Sequence, residues 1–209
     1  MISNFYEFYQ INEGSKYADL KSTPKTGLNN IKHNYNKIVK ASKVAISLLK
    51  GKNQLGGKIF LTEIAMAESM LGTDPVSVRT SGSAGRGPWQ IDKIAFNETK
   101  NVKSHPILKT YHEILRKNGA NWKYVQWNDC NTFLWGSIAA RLYLIFQPFT
   151  ISENRVIRAQ QWKKYYNTHS GKGSAEEYWN RVQKCYKLLN LKDPYEGLSY
   201  KDALKKYKL

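Results

Sequence analysis

Apolar residues recur at helical spacing along most of the chain. In "IKHNYNKIVKASKVAISLLKG", residues 31–51, Ile38, Val39, Ala41, Val44, Ala45, Leu48 and Leu49 share a packed face and lysines fill the other, which predicts a basic helix ending at Gly51. A second helix is predicted from near Gly57 to near Leu71, with Gly72 where a left-handed C-terminal cap belongs. "GTDPVSVRTSGSAGRGP" then breaks the periodicity with glycine and proline, predicting a long loop or short strand pair. Long loops inside compact domains are often functional. Downstream, "HPILKTYHEILRKNG" predicts a helix between Pro106 and Gly119, and "TFLWGSIAARLYLIF" a buried one, because its apolar residues surround the axis. "ENRVIRAQQWKKYYNT" and "SAEEYWNRVQKCYKLLN" predict two further amphipathic helices separated by "HSGKG". Residues 1–30 are polar and read as an arm, the end "YKDALKKYKL" reads as a lysine-rich tail, and no segment repeats. The expected fold is mainly α, one domain with loose ends.

Charge changes this picture more than composition does. Hydrophobic residues make up 41% and charged ones 23% of 209 residues, a globular composition. Lys and Arg number 33 against 16 Asp and Glu, a formal +17 that draws the surface toward polyanions: nucleic acid, anionic membrane or an acidic cell wall. Cys130 and Cys185 stand far apart and form no CxxC motif, so free thiols are expected. The start "MISNFYEFYQINEG" lacks a basic flank before an apolar core, so no secretory signal is expected. The apolar stretch "SIAARLYLIFQPF" is short and contains Arg141, so no membrane span is expected. His33, His105, His112 and His169 have no metal-binding spacing, and neither a Walker loop nor GxSxG occurs. No metal and no organic cofactor are implied.

Two carboxylates interrupt the apolar run "IFLTEIAMAESMLGTDP". Glu63 and Glu68 lie roughly 140° apart on a helix, so they are not a pair on one face. Both have apolar helical neighbours, and periodicity leaves them tied. Position favours Glu68, in the last turn beside the glycine-rich loop; a buried or half-buried ion pair with a lysine or arginine is the plainer role open to either glutamate, and the more so for Glu63 in mid-helix. A carboxyl held against apolar groups has a raised pKa, which suits a proton donor near neutral pH.

Four stretches then fall in order: "AESMLG", "SAGRGPWQID", "NTFLWGSIAARLYL" and "QQWKKYYNTHSGKG". The series resembles the lysozyme-like superfamily of soluble lytic transglycosylases and goose-type lysozymes, whose motifs are a Glu-Ser pair ending a helix, a GxxGLMQ loop, an NI…G…YL helix and a YN pair. Glu68 and Ser69 match the first; Gly85, Gly87 and Gln90 the second; Asn131, Gly136, Tyr143 and Leu144 the third; Tyr166 and Asn167 the fourth. Pro88 and Trp89 depart from the usual Leu and Met. The likeness covers about residues 55–188.

The resemblance implies a lysozyme-like helical domain with a glycine-rich loop or small β-hairpin beside the cleft. It divides the chain into an N-terminal arm and basic helix (1–54), a lysozyme-like catalytic domain (55–190) and a lysine-rich C-terminal tail (191–209). It implies cleavage of the β-1,4 bond between N-acetylmuramic acid and N-acetylglucosamine in peptidoglycan, with Glu68 as general acid. Goose-type lysozymes carry an aspartate where "WQID" places Asp92, a candidate second carboxylate that activates water; Asp92 equally suits the N-cap of the helix beginning near Lys93. Hydrolase and transglycosylase therefore both stay open. Ser69, Gly85, Arg86, Gly87, Trp89, Gln90, Tyr166 and Asn167 are the implied substrate-binding residues. Among these, Trp89 is a candidate face for stacking on a sugar, Arg86 a candidate partner for lactyl or peptide carboxylates, and Tyr166 is expected to aim its hydroxyl near Glu68. Trp162 and Tyr178 are weaker stacking candidates, since buried aromatics more often serve the core.

Wall cleavage without a secretory signal implies a bacteriophage product. It would be made in the host cytoplasm and act in the periplasm or at the wall, as an endolysin after holin release or as a virion-associated enzyme. "FYEFYQINEG" faintly resembles peptides that direct proteins into phage heads, and both terminal extensions are candidates for docking on virion or tail proteins. The expected partner is the peptidoglycan glycan strand, and specific nucleic-acid binding is not expected. The alternatives are a non-catalytic lysozyme-like component of a virion and, from the interleaved Lys and Tyr of "WKKYYN" and "KKYKL", a basic nucleic-acid-binding protein.

Overall fold

The computed structural model describes residues 17–50, 54–77, 85–167 and 172–207, with backbone alone at 54 and 55. Much of the expected arm with its "FYEFYQINEG" peptide, the middle of the glycine-rich loop, Gly51, His169 and the last two residues lie outside that set. The described residues are mainly helical and contain no strand; where a hairpin was an option, one antiparallel bridge joins Arg86 and Ile91.

The basic helix is α1, Ile31–Leu48, and it is a core element. Ile31, Asn34, Ile38, Ala41 and Ala45 recur every three or four residues and are buried, while Lys32, Lys40 and Lys43 face solvent. Asn34 earns its burial by donating to the carbonyls of Lys25 (2.8 Å) and Leu71 (3.0 Å), which ties the N-terminal segment to the turn after α2.

Helix α2, Gln54–Ser69, is the central element, packed against α1 on one side and against α7, Ala175–Leu188, on another. Phe60, Leu61, Ile64, Ala65, Met66 and Ala67 are all buried, so the helix is enclosed on several sides. The expected buried helix is α5, Phe133–Ile145, which crosses α1 and donates from Ser137 Oγ to the Ala41 carbonyl at 3.2 Å. Shorter helices α3, Lys93–Glu98, and α4, Ile107–Lys117, flank α5.

"ENRVIRAQQWKKYYNT" does not form one regular helix. Arg155–Gln161 is α-helical (α6), and Trp162–Asn167 continues as a π-helical turn. Widening the turn changes the angle between successive side chains, and such turns concentrate at functional sites. Residues 190–207 fold back on α6 and α7: Trp179 Nε1 donates to the Leu198 carbonyl at 3.1 Å, and Ala203 of helix α8, Tyr200–Lys206, is fully buried. The lysines of this segment occupy its outer face. No helix among the described residues is long and apolar enough to cross a membrane.

Glu63 is the centre of a buried ion-pair cluster. Its Oε1 accepts from Arg155 Nε at 3.0 Å and Arg158 Nη2 at 2.8 Å; its Oε2 accepts from Arg158 Nε at 2.6 Å and the Tyr178 hydroxyl at 2.8 Å. Burial opposes its charge, but Arg158, Arg155 and Tyr178 together outweigh burial and hold its pKa below the ordinary carboxylate value. Arg155 passes the charge on to Asp193 at 2.9 Å. One cluster thus clamps α2, α6, α7 and the C-terminal segment.

Candidate active site

Glu68 occupies the last turn of α2, and the chain immediately after it is strained. Met70 (φ 49°) and Leu71 (φ 62°) are non-glycine residues in the left-handed region, followed by Gly72 (φ 73°). The helix ends at Ser69, two residues earlier than the spacing predicts, because this turn folds back: the Leu71 amide donates to the Ala65 carbonyl at 2.9 Å. Ser69 is fully buried and locks the turn, accepting from the Gly72 amide at 2.8 Å and donating to the Pro88 carbonyl at 2.7 Å. Such strain persists only where surrounding bonds over-determine it.

The described part of the glycine-rich loop meets the turn after Glu68 through the Pro88 carbonyl. Gly87 has φ 66° and lies so close to the Cys130 carbonyl that a side chain would collide; a side chain at Gly85 would meet the Gln90 backbone. Gln90, itself at φ 48°, donates from Nε2 to the Gly87 carbonyl at 2.8 Å, and Asn131 Oδ1 accepts from the Gly87 amide at 3.2 Å. The Tyr166 hydroxyl donates to the Trp89 carbonyl at 2.7 Å, joining the π-helical turn to the loop. The close backbone approach expected toward a sugar is, at Gly85 and Gly87, an approach to the chain itself.

Trp89 and Arg86, expected at the substrate, face the protein interior instead. Trp89 is 0% exposed and donates from Nε1 to the Leu61 carbonyl at 2.8 Å, so it offers no stacking face. Arg86 is buried with its guanidinium 3.8 Å above the Trp127 ring and Nε donating to Asn128 Oδ1 at 3.1 Å, so it fixes the loop against the Trp127–Asn131 turn. An arginine stacked and paired in this way is a packing group.

In front of Glu68 lies a cleft of ≈ 480 Å³ between α2, the π-helical turn and α7. Glu68, Trp162, Asn167, Lys172, Asn180 and Arg181 are on its walls. Trp162 Nε1 donates to Glu68 Oε1 at 2.8 Å. Arg181 donates to the carbonyls of Ala67 and Glu68 and lies 3.6 Å from Asp74, which holds the backbone of the strained turn to α7. Tyr178 also reaches this cleft but is fully buried, its hydroxyl committed to Glu63. Asn167 Oδ1 accepts from Lys163 Nζ at 3.2 Å.

Burial dominates the electrostatics of Glu68. It outweighs the Trp162 N–H and the Arg181 charge, which pull the other way, and with the Asp92 charge adding to the rise the carboxyl stands at about 7 instead of 4.5. The two glutamates of α2 therefore diverge: Glu63 is held ionised by two guanidinium groups, whereas Glu68 is divided between its acid and its anion near neutral pH. Asp92 is exposed and caps α3, its Oδ1 accepting from the Ala95 amide at 2.6 Å. It is not on the walls of the cleft. Glu177 is, but its Oε2 accepts from the Ser174 amide at 2.7 Å in a capping box that starts α7.

The structure thus brings Glu68 and Asn167 to the cleft, whereas Ser69, Gly85, Gly87, Gln90 and Tyr166 are not on its walls and are held by contacts to the chain's own backbone. Nothing in the spacing points to Arg181, Lys172 or Asn180 as cleft residues, and Trp162 stood out only as an aromatic. The available signal for Arg181 was its place three residues after Tyr178 on an amphipathic helix, too common to single it out. Compared with models of protein families, with characterised proteins and with solved structures, the chain matches none.

Proposed function

We propose that the protein cleaves the β-1,4 bond between N-acetylmuramic acid and N-acetylglucosamine in peptidoglycan, with Glu68 as the general acid. The observation that carries this reading is a carboxyl at a cleft wall whose pKa sits at about 7 and which the Trp162 indole holds in place. Protonated Glu68 gives its proton to the glycosidic oxygen as the bond to the leaving sugar breaks. The Ser69, Tyr166 and Arg181 contacts keep that carboxyl from drifting, which positioning demands.

A two-carboxylate glycosidase also needs a nucleophile or a water-activating base at a defined separation. Asp92 caps α3, and Glu177, the other carboxylate on the described cleft wall, is engaged in the α7 capping box. These engagements favour the lytic transglycosylase version of the reaction, in which the substrate's acetamido group assists and its own 6-hydroxyl attacks. The formal +17 supports a substrate that is an anionic wall polymer. Mass analysis of the fragments released from purified peptidoglycan tests the proposal: 1,6-anhydro ends are expected. Reducing ends would replace the transglycosylase with a hydrolase, and intact glycan strands would remove the enzymatic reading.

A further inference from the structure

A second cavity, remote in sequence from Glu68, holds a buried cation that no carboxylate among the described residues pairs with. It measures ≈ 210 Å³ and lies between α4, the C-terminal end of α5 and residues 149–151. Arg141 of α5 is on its wall together with Tyr111, Ile107, Leu144, Phe149 and Ile151. Arg141 is 3% exposed. Its Nε and Nη2 both address a single acceptor, the Leu49 carbonyl at the end of α1, at 3.3 Å.

That is sparse compensation for such a group. A guanidinium has five N–H donors, and a buried one ordinarily meets a carboxylate or several oxygens. Arg155 and Arg158 in this same protein each meet Glu63, but no carboxylate among the described residues pairs with Arg141. Burial accordingly draws the Arg141 pKa below its ordinary value, opposed only by the nearby Tyr111 hydroxyl. Nη1 has no hydrogen-bond partner among the described residues, and Arg141 is on the wall of the cavity. Capping the last carbonyls of α1 explains one edge of the guanidinium, not the other.

We propose that this cavity binds an organic monocarboxylate with a short apolar tail, the carboxylate meeting Arg141 and the tail lying against Ile107, Leu144, Phe149 and Ile151. A guanidinium end matches a carboxylate in charge and in planar geometry. The apolar walls exclude a bare multiply charged anion, for which a single cation supplies too few donors, and they reward a tail with buried apolar area. The cavity, below the roughly 300–1,000 Å³ usual for drug-sized ligands, admits only a small one of about ten non-hydrogen atoms. The inference stands apart from the chemistry of Glu68 and holds whether or not that reading does.

The test is a titration of the ¹⁵N-labelled full chain with hexanoate, hexanol, acetate and inorganic phosphate, followed by amide chemical shifts. Hexanoate is expected to give saturable shifts at Tyr111, Leu144 and Ile151. Hexanol, which lacks the charge, and acetate, which lacks the tail, are each expected to bind at least about tenfold more weakly. In Arg141→Met the hexanoate shifts are expected to vanish while the fold persists, because replacing a poorly paired buried charge by an apolar group of similar length is often neutral or stabilising. Hexanol or phosphate binding as tightly as hexanoate, shifts scattered over the lysine-rich surface without saturation, or undiminished hexanoate binding in Arg141→Met would overturn the proposal. Should that variant not fold, the four probes on the wild-type protein decide by themselves.

Discussion

At the scale of single residues, the two glutamates of α2 show how environment separates identical side chains. Glu68 has one neutral donor, Trp162, and a cleft before it. A hydrogen bond to the charged form lowers a carboxyl pKa. Removing that donor in Trp162→Phe should therefore raise the Glu68 pKa and move the alkaline limb of the kcat/KM profile upward from its wild-type position near pH 7. A merely structural tryptophan would lower the profile without moving the limb. Stability gives an independent reading of the same group. Its folded pKa of about 7 lies above the ordinary 4.5, so between those values the folded state binds the extra proton and stability falls as pH rises. Glu68→Gln keeps an acceptor for Trp162 and removes the buried charge. It should melt higher than wild type at pH 8, by about 1–3 kcal/mol, and equally at pH 4. Equal melting at both pH values would show that Glu68 titrates normally.

At the scale of elements, the site is made by joints that sequence periodicity does not encode. The spacing of "IKHNYNKIVKASKVAISLL" and "TFLWGSIAARLYLIF" reads directly as α1 and α5, since the period of apolar positions is what burial of a helix face requires. The turn after Glu68 and the π-helical turn at Trp162–Asn167 are invisible to that signal, because each departs from the 3.6-residue period. The described part of the glycine-rich loop meets Ser69 through the Pro88 carbonyl, but motif spacing does not tell which way the loop's side chains face. Trp89 and Arg86 point into the protein, and Gly85 and Gly87 are required by the chain's own backbone. Glu63, by contrast, was legible as an ion-paired residue, and it is what holds these elements together. Glu63→Gln leaves Arg158 and Arg155 without their shared anion and should cost about 3–5 kcal/mol. Because the folded pKa is depressed, the stability Glu63 supplies is whole above 4.5 and drains as pH falls through its lower folded value. Denaturation curves of wild type and variant should converge at low pH and differ at pH 7; parallel curves throughout would mean that the cluster contributes nothing through charge.

At the scale of the molecule, α1 and the C-terminal segment belong to the packed body, although the lysine-rich sequence of the latter reads as a loose tail. Lys32, Lys40, Lys43, Lys201, Lys205 and Lys206 lie on the outer faces of packed helices, where a lysine signals solvent and not disorder. Helical class and most helix positions were therefore open to sequence reasoning, whereas the cleft, assembled from α2, the π-helical turn and α7, depended on contacts across about ninety residues or more of chain. The central claim is that Glu68 donates the proton in glycan cleavage. It is tested most directly by the rate of dye release from labelled peptidoglycan sacculi at pH 6, measured side by side for wild type, Glu68→Gln and Glu63→Gln, each with its melting curve. A folded Glu68→Gln should lose activity by about 10²-fold or more, and Glu63→Gln should retain it at temperatures where it is folded. Release by Glu68→Gln at the wild-type rate, or no release by the wild type, would contradict the assignment.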